Sequence, residues 1–139
     1  MIIGTGIDII ELSRIADMVG KFGDQFTKRI CTLVEIERIP ANDQIPFIAK
    51  RWATKEAAVK ALGTGFREDV TFQDMWTTHD TLGRPILHLS PALHARLTQT
   101  IPSNYILRTH VSTSDTCNDA IAMVTLEIIR ESINIPPLL

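Results

Sequence analysis

Cysteine is scarce in this chain: Cys31 and Cys117 are the only two. That is too few for a disulfide framework, and neither sits in a metal-type pair, so a reduced, cytosolic setting is expected. An excess of positive charge is also missing. Fourteen basic residues stand against 16 acidic ones, a formal net charge of −2, which argues against bulk nucleic-acid binding. A local basic patch facing an acidic partner remains open. No apolar run approaches the ~20 residues of a membrane span. The opening MIIGTGIDII is interrupted by Asp8 and has no basic region before it, so it does not read as a signal peptide. Internal repeats and low-complexity tracts are absent too. What remains is 139 residues, 45% hydrophobic and 22% charged, the profile of one soluble domain. A chain of this size buries roughly 68% of its unfolded surface.

The pattern along the chain predicts a single α+β domain. Ile2 to Ile10 alternates and is β-branched, which predicts a strand. One face carries Ile3, Thr5, Ile7 and Ile9; the other carries Gly4, Gly6 and Asp8. Glycines inside a strand mark close approach of a ligand or another backbone. Leu12, Ile15, Ala16, Val19 and Phe22 recur at helical spacing, leaving Arg14, Asp17 and Lys21 outside. A short helix is expected over Asp24 to Ile30. Thr32 and Glu35 form a candidate capping box for a helix running to Ile39 before Pro40. Asn42 or Asp43 can cap a long helix ending at Leu62, with Gly63 at the left-handed position that follows. Strands are expected over Phe72 to Thr78, Pro85 to Leu89, Tyr105 to Ser112 and Ala120 to Ile129. Ser90-Pro91 opens a helix to about Thr100, and the tail from Arg130 reads as peripheral.

The long helix carries an unusual carboxylate. With Ile48 at zero, Glu56 falls at ~80° and Lys60 at ~120° around the wheel, beside Ala49 and Ala53. The apolar stripe therefore runs into a glutamate flanked by alanines. One reading is an i,i+4 Glu56–Lys60 pair at the border of the buried face. The other is functional: a buried charge is costly unless it is paired or binds a metal, and small alanines leave room beside it. Asp8 is either a cap for the following helix or a second member of that site. Two carboxylates and a lysine beside the Gly63-Thr64-Gly65 loop suit magnesium and phosphate. The loop follows a helix C-terminus, whose dipole repels anions, so phosphate contacts there fall to loop N–H groups, Lys60 or Arg67.

These residues are familiar in combination. The opening GIDIIELSRI, the helix KRWATKEAAVKALGTG, the turn GRP and the strand HVSTSD occur in this order. Together they resemble the small bacterial class of phosphopantetheinyl transferases, the holo-[acyl-carrier-protein] synthases, from about Ile2 to about Leu126. The resemblance implies a phosphopantetheinyl transferase fold over residues 1–129, with an antiparallel sheet packed against one long helix, followed by a tail at 130–139. It implies transfer of 4′-phosphopantetheine from coenzyme A to a serine of apo acyl carrier protein, with release of adenosine 3′,5′-bisphosphate, for fatty acid biosynthesis. Asp8 and Glu56 then hold Mg²⁺, Lys60 neutralises pyrophosphate charge, and Glu56 helps deprotonate the serine. No enzyme nucleophile is needed, because phosphoryl transfer rests on positioning and charge neutralisation.

By the same resemblance, Gly63, Thr64 and Gly65 line the coenzyme A site, and Pro85, His110 and Ser112 line its nucleotide pocket. The structural alternatives are an edge-strand start for Pro85 and an ordinary half-buried histidine for His110. Arg14 matches the family's docking arginine for the acidic carrier protein, and Arg29 extends that patch. Many members have a second histidine after HVS, where this chain has Ser114-Asp115. Members of this class are homotrimers with active sites between protomers, and such packing is expected to use the glycine face and the alanine-lined helix. The reading from another class is a non-catalytic relative that binds coenzyme A or a carrier protein; a pure binder has no need of paired carboxylates.

Overall fold

The opening strand, β1 (Ile2–Glu11), pairs antiparallel with the last one, β5 (Asp119–Arg130), and β5 pairs antiparallel with β4 (Tyr105–Asp115). The order is β1-β5-β4. This is seen in a computed structural model that describes residues 1–66 and 69–131. Between β1 and β4 the chain forms α1 (Leu12–Phe22), α2 (Asp24–Ile30), α3 (Leu33–Ile36), α4 (Gln44–Leu62), the hairpin β2 (Met75–His79) and β3 (Pro85–Leu89), and α5 (Pro91–Thr98). The fold is the expected α+β one. No helix among the described residues is long and apolar enough to cross a membrane.

The helix α4 is the centre of the molecule, and β1 shows why. A Cβ on Gly4 would stand 2.0 Å from the Ala61 carbonyl oxygen, and one on Gly6 would stand 1.9 Å from that of Ala57. Only glycine lets the strand lie this close to the helix backbone. The glycine face is therefore covered by the chain's own α4, and the expectation that a neighbouring protomer approaches it is overturned. Ala57 and Ala61 of α4 serve this contact, and Ala49 and Ala53, expected to leave room beside Glu56, are fully buried. Ile48, Ala49, Ala53, Thr54, Lys55, Ala57 and Val59 are all fully buried, so α4 has no single apolar stripe. Trp52, Glu56 and Lys60, four residues apart, form its least covered line. Glu56 sits on that line, half-buried, and not at the border of a stripe.

Charged groups bury themselves on the opposite side. Glu35 of α3 is fully buried and accepts from Lys55 Nζ (2.7 Å), the Thr32 N–H (3.0 Å) and the Thr77 N–H (2.9 Å), with Arg51 Nε at 3.4 Å. Lys55 Nζ also donates to Ile30 O (2.6 Å) and Phe72 O (2.9 Å). The capping-box glutamate is thus the hub that ties α3, α4 and β2 together. Buried charges are tolerated when paired and hydrogen-bonded in this way.

Several boundaries differ from expectation for local reasons. The strand expected from Phe72 begins at Met75. Thr71 accepts from the Gln73 N–H and Asp74 accepts from the Thr71 N–H, so a 3₁₀ turn takes Phe72–Asp74 instead. The helix expected to reach Ile39 ends at Ile36, where i→i−3 bonds from Arg38 to Glu35 and Ile39 to Ile36 tighten the chain before Pro40. The β4–β5 turn is shorter than expected, because the Thr116 hydroxyl accepts from the Asn118 and Asp119 N–H groups. Arg130 ends β5, paired with Tyr105, and does not begin the tail. On α1, Ile15 is buried while Ala16 and Phe22 are exposed. Arg67 and the tail beyond residue 131 lie outside the described residues.

Candidate active site

Two residues beyond Gly6 on the same face of β1, Asp8 reaches the flank of α4. Lys60 Nζ donates to Asp8 Oδ1 at 2.8 Å and to Ile7 O at 2.9 Å. Glu56 lies one turn earlier on the open line of α4. Burial pushes its carboxyl above the ordinary value, the Asp8 charge pushes in the same direction, and Lys60 opposes both. The structure therefore brings Asp8, Glu56 and Lys60 together, as expected. Lys60 bonds Asp8, so the simple i,i+4 pair with Glu56 is not what orders this corner.

The donor set suits a hard cation. Among the described residues no group of three or more His, Cys, Asp or Glu gathers. A divalent ion here would take carboxylates from Asp8 and Glu56 and fill its shell from water and substrate oxygens, the habit of magnesium. A cation between them would also relieve the repulsion that raises Glu56. The Thr64 hydroxyl is buried without a protein partner, in the loop expected to meet coenzyme A. Gly63 adopts φ 72 and gives its N–H to Lys60 O, and the Gly65 N–H goes to Val59 O. These two N–H groups close the helix, so the loop offers a phosphate less than the sequence suggested.

Pro85, His110 and Ser112 lie elsewhere. Pro85 begins β3 opposite His79, and it shares a cleft with Arg84, Ile86, Arg108 and His110. The Thr109 hydroxyl donates to Leu87 O at 2.8 Å, fastening β4 to β3 at this cleft. His110 is exposed and bonds Glu127 Oε2 through Nε2 at 2.8 Å, so it is not half-buried. Strands β1 and β4 are opposite edges of the sheet. His110 and Ser112 point to its outer face, whereas Asp8 points to the inner one. Within one chain the expected site is split in two.

The outer face has a feature that sequence reasoning missed. Ile7 and Ile9 on β1 are 57% and 62% exposed, and Met123 on β5, opposite Ile7, is 51% exposed. The alternation that predicted the strand already set these residues on one face, with nothing in the sequence to say what covers it. Arg14 is exposed on α1 and lines a groove with Met18, Lys21, Phe26 and Trp52. Arg29 is exposed in the last turn of α2. At the departure from the HVS motif, the Asp115 carboxylate accepts from Lys50 Nζ of α4 at 2.8 Å. A cavity of about 520 Å³ lined by Ile3, Leu97, Tyr105 and Ile128 lies apart and holds none of the expected site residues.

Residues 4–115 match the model of the 4′-phosphopantetheinyl transferase superfamily. The chain belongs to that family. The holo-[acyl-carrier-protein] synthase of Maridesulfovibrio salexigens is 47% identical over 79% of this chain and 90% of that protein. The crystal structure of the holo-[acyl-carrier-protein] synthase from Neisseria meningitidis superposes with a TM-score of 0.82 at 40% identity, covering 91% of this chain and 99% of that one. The Bacillus anthracis synthase, solved with CoA (3′,5′-ADP), gives a TM-score of 0.71 at 38% identity, covering 91% and 97%.

Proposed function

We propose that this chain is a holo-[acyl-carrier-protein] synthase. It transfers 4′-phosphopantetheine from coenzyme A to a serine of apo acyl carrier protein, releasing adenosine 3′,5′-bisphosphate, in the cytoplasm and for fatty acid biosynthesis. The observation that carries this reading is the convergence of Asp8, Glu56 and Lys60 where β1 meets α4, in a chain of this family. Asp8 and Glu56 hold magnesium, which when bound neutralises charge on the coenzyme A pyrophosphate. Lys60, half-exposed, supplies a point charge to the phosphates. Glu56 is the carboxylate placed to take the proton of the incoming serine. Gly63, Thr64 and Gly65 border the coenzyme, with the Thr64 hydroxyl free to bond it.

The second half of the site comes from a neighbouring copy in a homotrimer. Pro85, His110 and Ser112 line the nucleotide pocket, and in one chain they face away from Asp8. Head-to-tail packing of the exposed isoleucine face closes a ring and lets one protomer complete the next. Arg14 and Arg29 meet acidic residues of the carrier protein, and exposed Met18 and Phe22 offer apolar contact beside them. We assign residues 1–129 to the transferase domain and give the tail no part in the reaction.

The test is direct. Purified protein is mixed with apo carrier protein, coenzyme A and Mg²⁺, and the carrier is weighed by mass spectrometry. A phosphopantetheine adduct is expected; no adduct on several carrier proteins overturns the reading in favour of a non-catalytic binder.

A further inference from the structure

The C-terminal end of α2 is closed by side chains from distant parts of the chain. The last carbonyls of a helix have no intrahelical partner. Many helices satisfy them by turning back through a left-handed glycine. Here Cys31 follows in an extended conformation, φ −98 and ψ 137, so that solution is not used. Instead Gln73 Nε2 donates to Lys28 O at 2.8 Å, and to Arg29 O and Cys31 O at 3.2 Å each. Lys55 Nζ takes the remaining carbonyl, Ile30 O, at 2.6 Å. Gln73 is itself fixed, because its N–H donates to Thr71 Oγ1 within the 3₁₀ turn.

The two donors act on different sides of α2. Lys55 is buried and ties Ile30 into the core, where Phe26 and Thr27 also lie. Gln73 is exposed and holds the carbonyls of the solvent-facing residues, Lys28 and Arg29. A helix of seven residues has little stability of its own, so its last exposed turn depends on an external partner. We infer that Gln73 is a positioning residue for carrier-protein docking. By holding the Lys28, Arg29 and Cys31 carbonyls it fixes the last turn of α2 and, through it, the Arg29 guanidinium. This rests on the docking role assigned to Arg29 above. Of the three carbonyls that Gln73 holds, only that of Cys31 belongs to a buried residue. Lys55 keeps its own bonds to Ile30 O, Glu35 and Phe72 O, so loss of the Gln73 amide is felt at the docking surface before it is felt in the fold.

The experiment measures apo carrier protein in two ways, by Kd in surface plasmon resonance and by KM in turnover. The proteins are the wild type, Gln73→Leu, Gln73→Lys, Arg29→Ala and the Gln73→Leu/Arg29→Ala double variant. Gln73→Leu is expected to raise Kd and carrier KM about fivefold, the effect of losing one ordinary hydrogen bond. The KM for coenzyme A and kcat stay at wild-type values. Gln73→Lys keeps a donor toward the carbonyls and stays near wild type. In the Arg29→Ala background Gln73→Leu adds nothing further, a result that a general structural role does not give. A wild-type Kd in Gln73→Leu, a full further loss in the double variant, or a parallel rise in coenzyme A KM overturns the inference. So does a wild-type Kd in Arg29→Ala. A wild type that binds carrier protein but forms no adduct overturns the transferase reading alone, and one that binds no carrier protein overturns both.

Discussion

Lys60 Nζ of α4 lies 2.8 Å from Asp8 Oδ1 of β1, joining the open line of the central helix to the end of the glycine-faced strand. This contact puts a cation and two carboxylates in one corner of the molecule. The Lys60 side chain is 51% exposed, so its bond to Asp8 contributes less than about 1 kcal/mol to stability. Lys60→Met is therefore expected to keep the wild-type melting temperature. Its kcat/KM for coenzyme A should fall on the order of 100-fold, the scale for removing a charge-stabilising group. Wild-type kinetics in this variant would remove Lys60 from phosphate binding.

Glu56 gives a pH dependence with a definite sign. Its carboxyl is raised from 4.5 by burial and then by Asp8, against the pull of Lys60. The folded chain thus holds this proton more tightly than the unfolded chain. Stability falls as pH rises from about 4.5 through the raised value, and the penalty is complete above it. Metal-free Glu56→Gln is expected to melt higher than wild type at pH 8, with the gain gone by pH 4. Magnesium should raise the melting temperature of the wild type and leave the variant unmoved. Calorimetry with and without Mg²⁺ at the two pH values decides it.

Gly6 and Gly20 make a matched pair. A Cβ at Gly6 meets Ala57 O at 1.9 Å and Ala61 N at 2.7 Å, both backbone atoms of a helix covered on nearly every side. Gly6→Ala is expected to cost about 3 kcal/mol or more. Gly20, inside α1, has nothing within 4 Å of a Cβ, and Gly20→Ala should stabilise by about 0.5–1 kcal/mol. Urea unfolding of the two variants checks both signs.

Lys55 and Glu35 are both fully buried and 2.7 Å apart. Lys55→Met strands the Glu35 charge and should cost about 3–5 kcal/mol. Adding Glu35→Gln, which removes the stranded charge and keeps an acceptor for the Thr77 N–H, is expected to recover part of that loss. Additive losses in the double variant, measured by denaturant unfolding, would show that the pair is not coupled.

The outer sheet face predicts the assembly. Ile7→Lys places a charge in the middle of the exposed isoleucines, opposite Met123. Light scattering is expected to show three copies for the wild type and one for the variant, with turnover lost on dissociation. An active wild-type monomer would rule out a site completed by a neighbour.

Much of the site was legible because local chemistry specifies it. The glycines of β1 and their period placed Asp8 on one face, and Gly63 marked the end of α4 at the residue where φ turns positive. Other residues misled because burial depends on what covers them. Phe22 fits the apolar spacing of α1 yet is 51% exposed, since no element among the described residues covers that side of the helix end. Glu35 fits a capping box, and nothing near it in sequence announces Lys55 or Thr77 as its partners.

The sequence by itself determined the α+β element order, the limits of α4, and a carboxylate and a lysine one turn apart within it. Caps, glycines and side-chain period act over a few residues, so they can be read from those residues. Tertiary structure decided that Ala57 and Ala61 of α4 receive the glycines of β1, and that Lys60 closes on Asp8. It also left Ile7 and Ile9 of β1 bare and set His110 on the opposite face from Asp8. Those outcomes depend on which element packs on which face, and the contacts that choose join residues as far apart as Gly4 and Ala61.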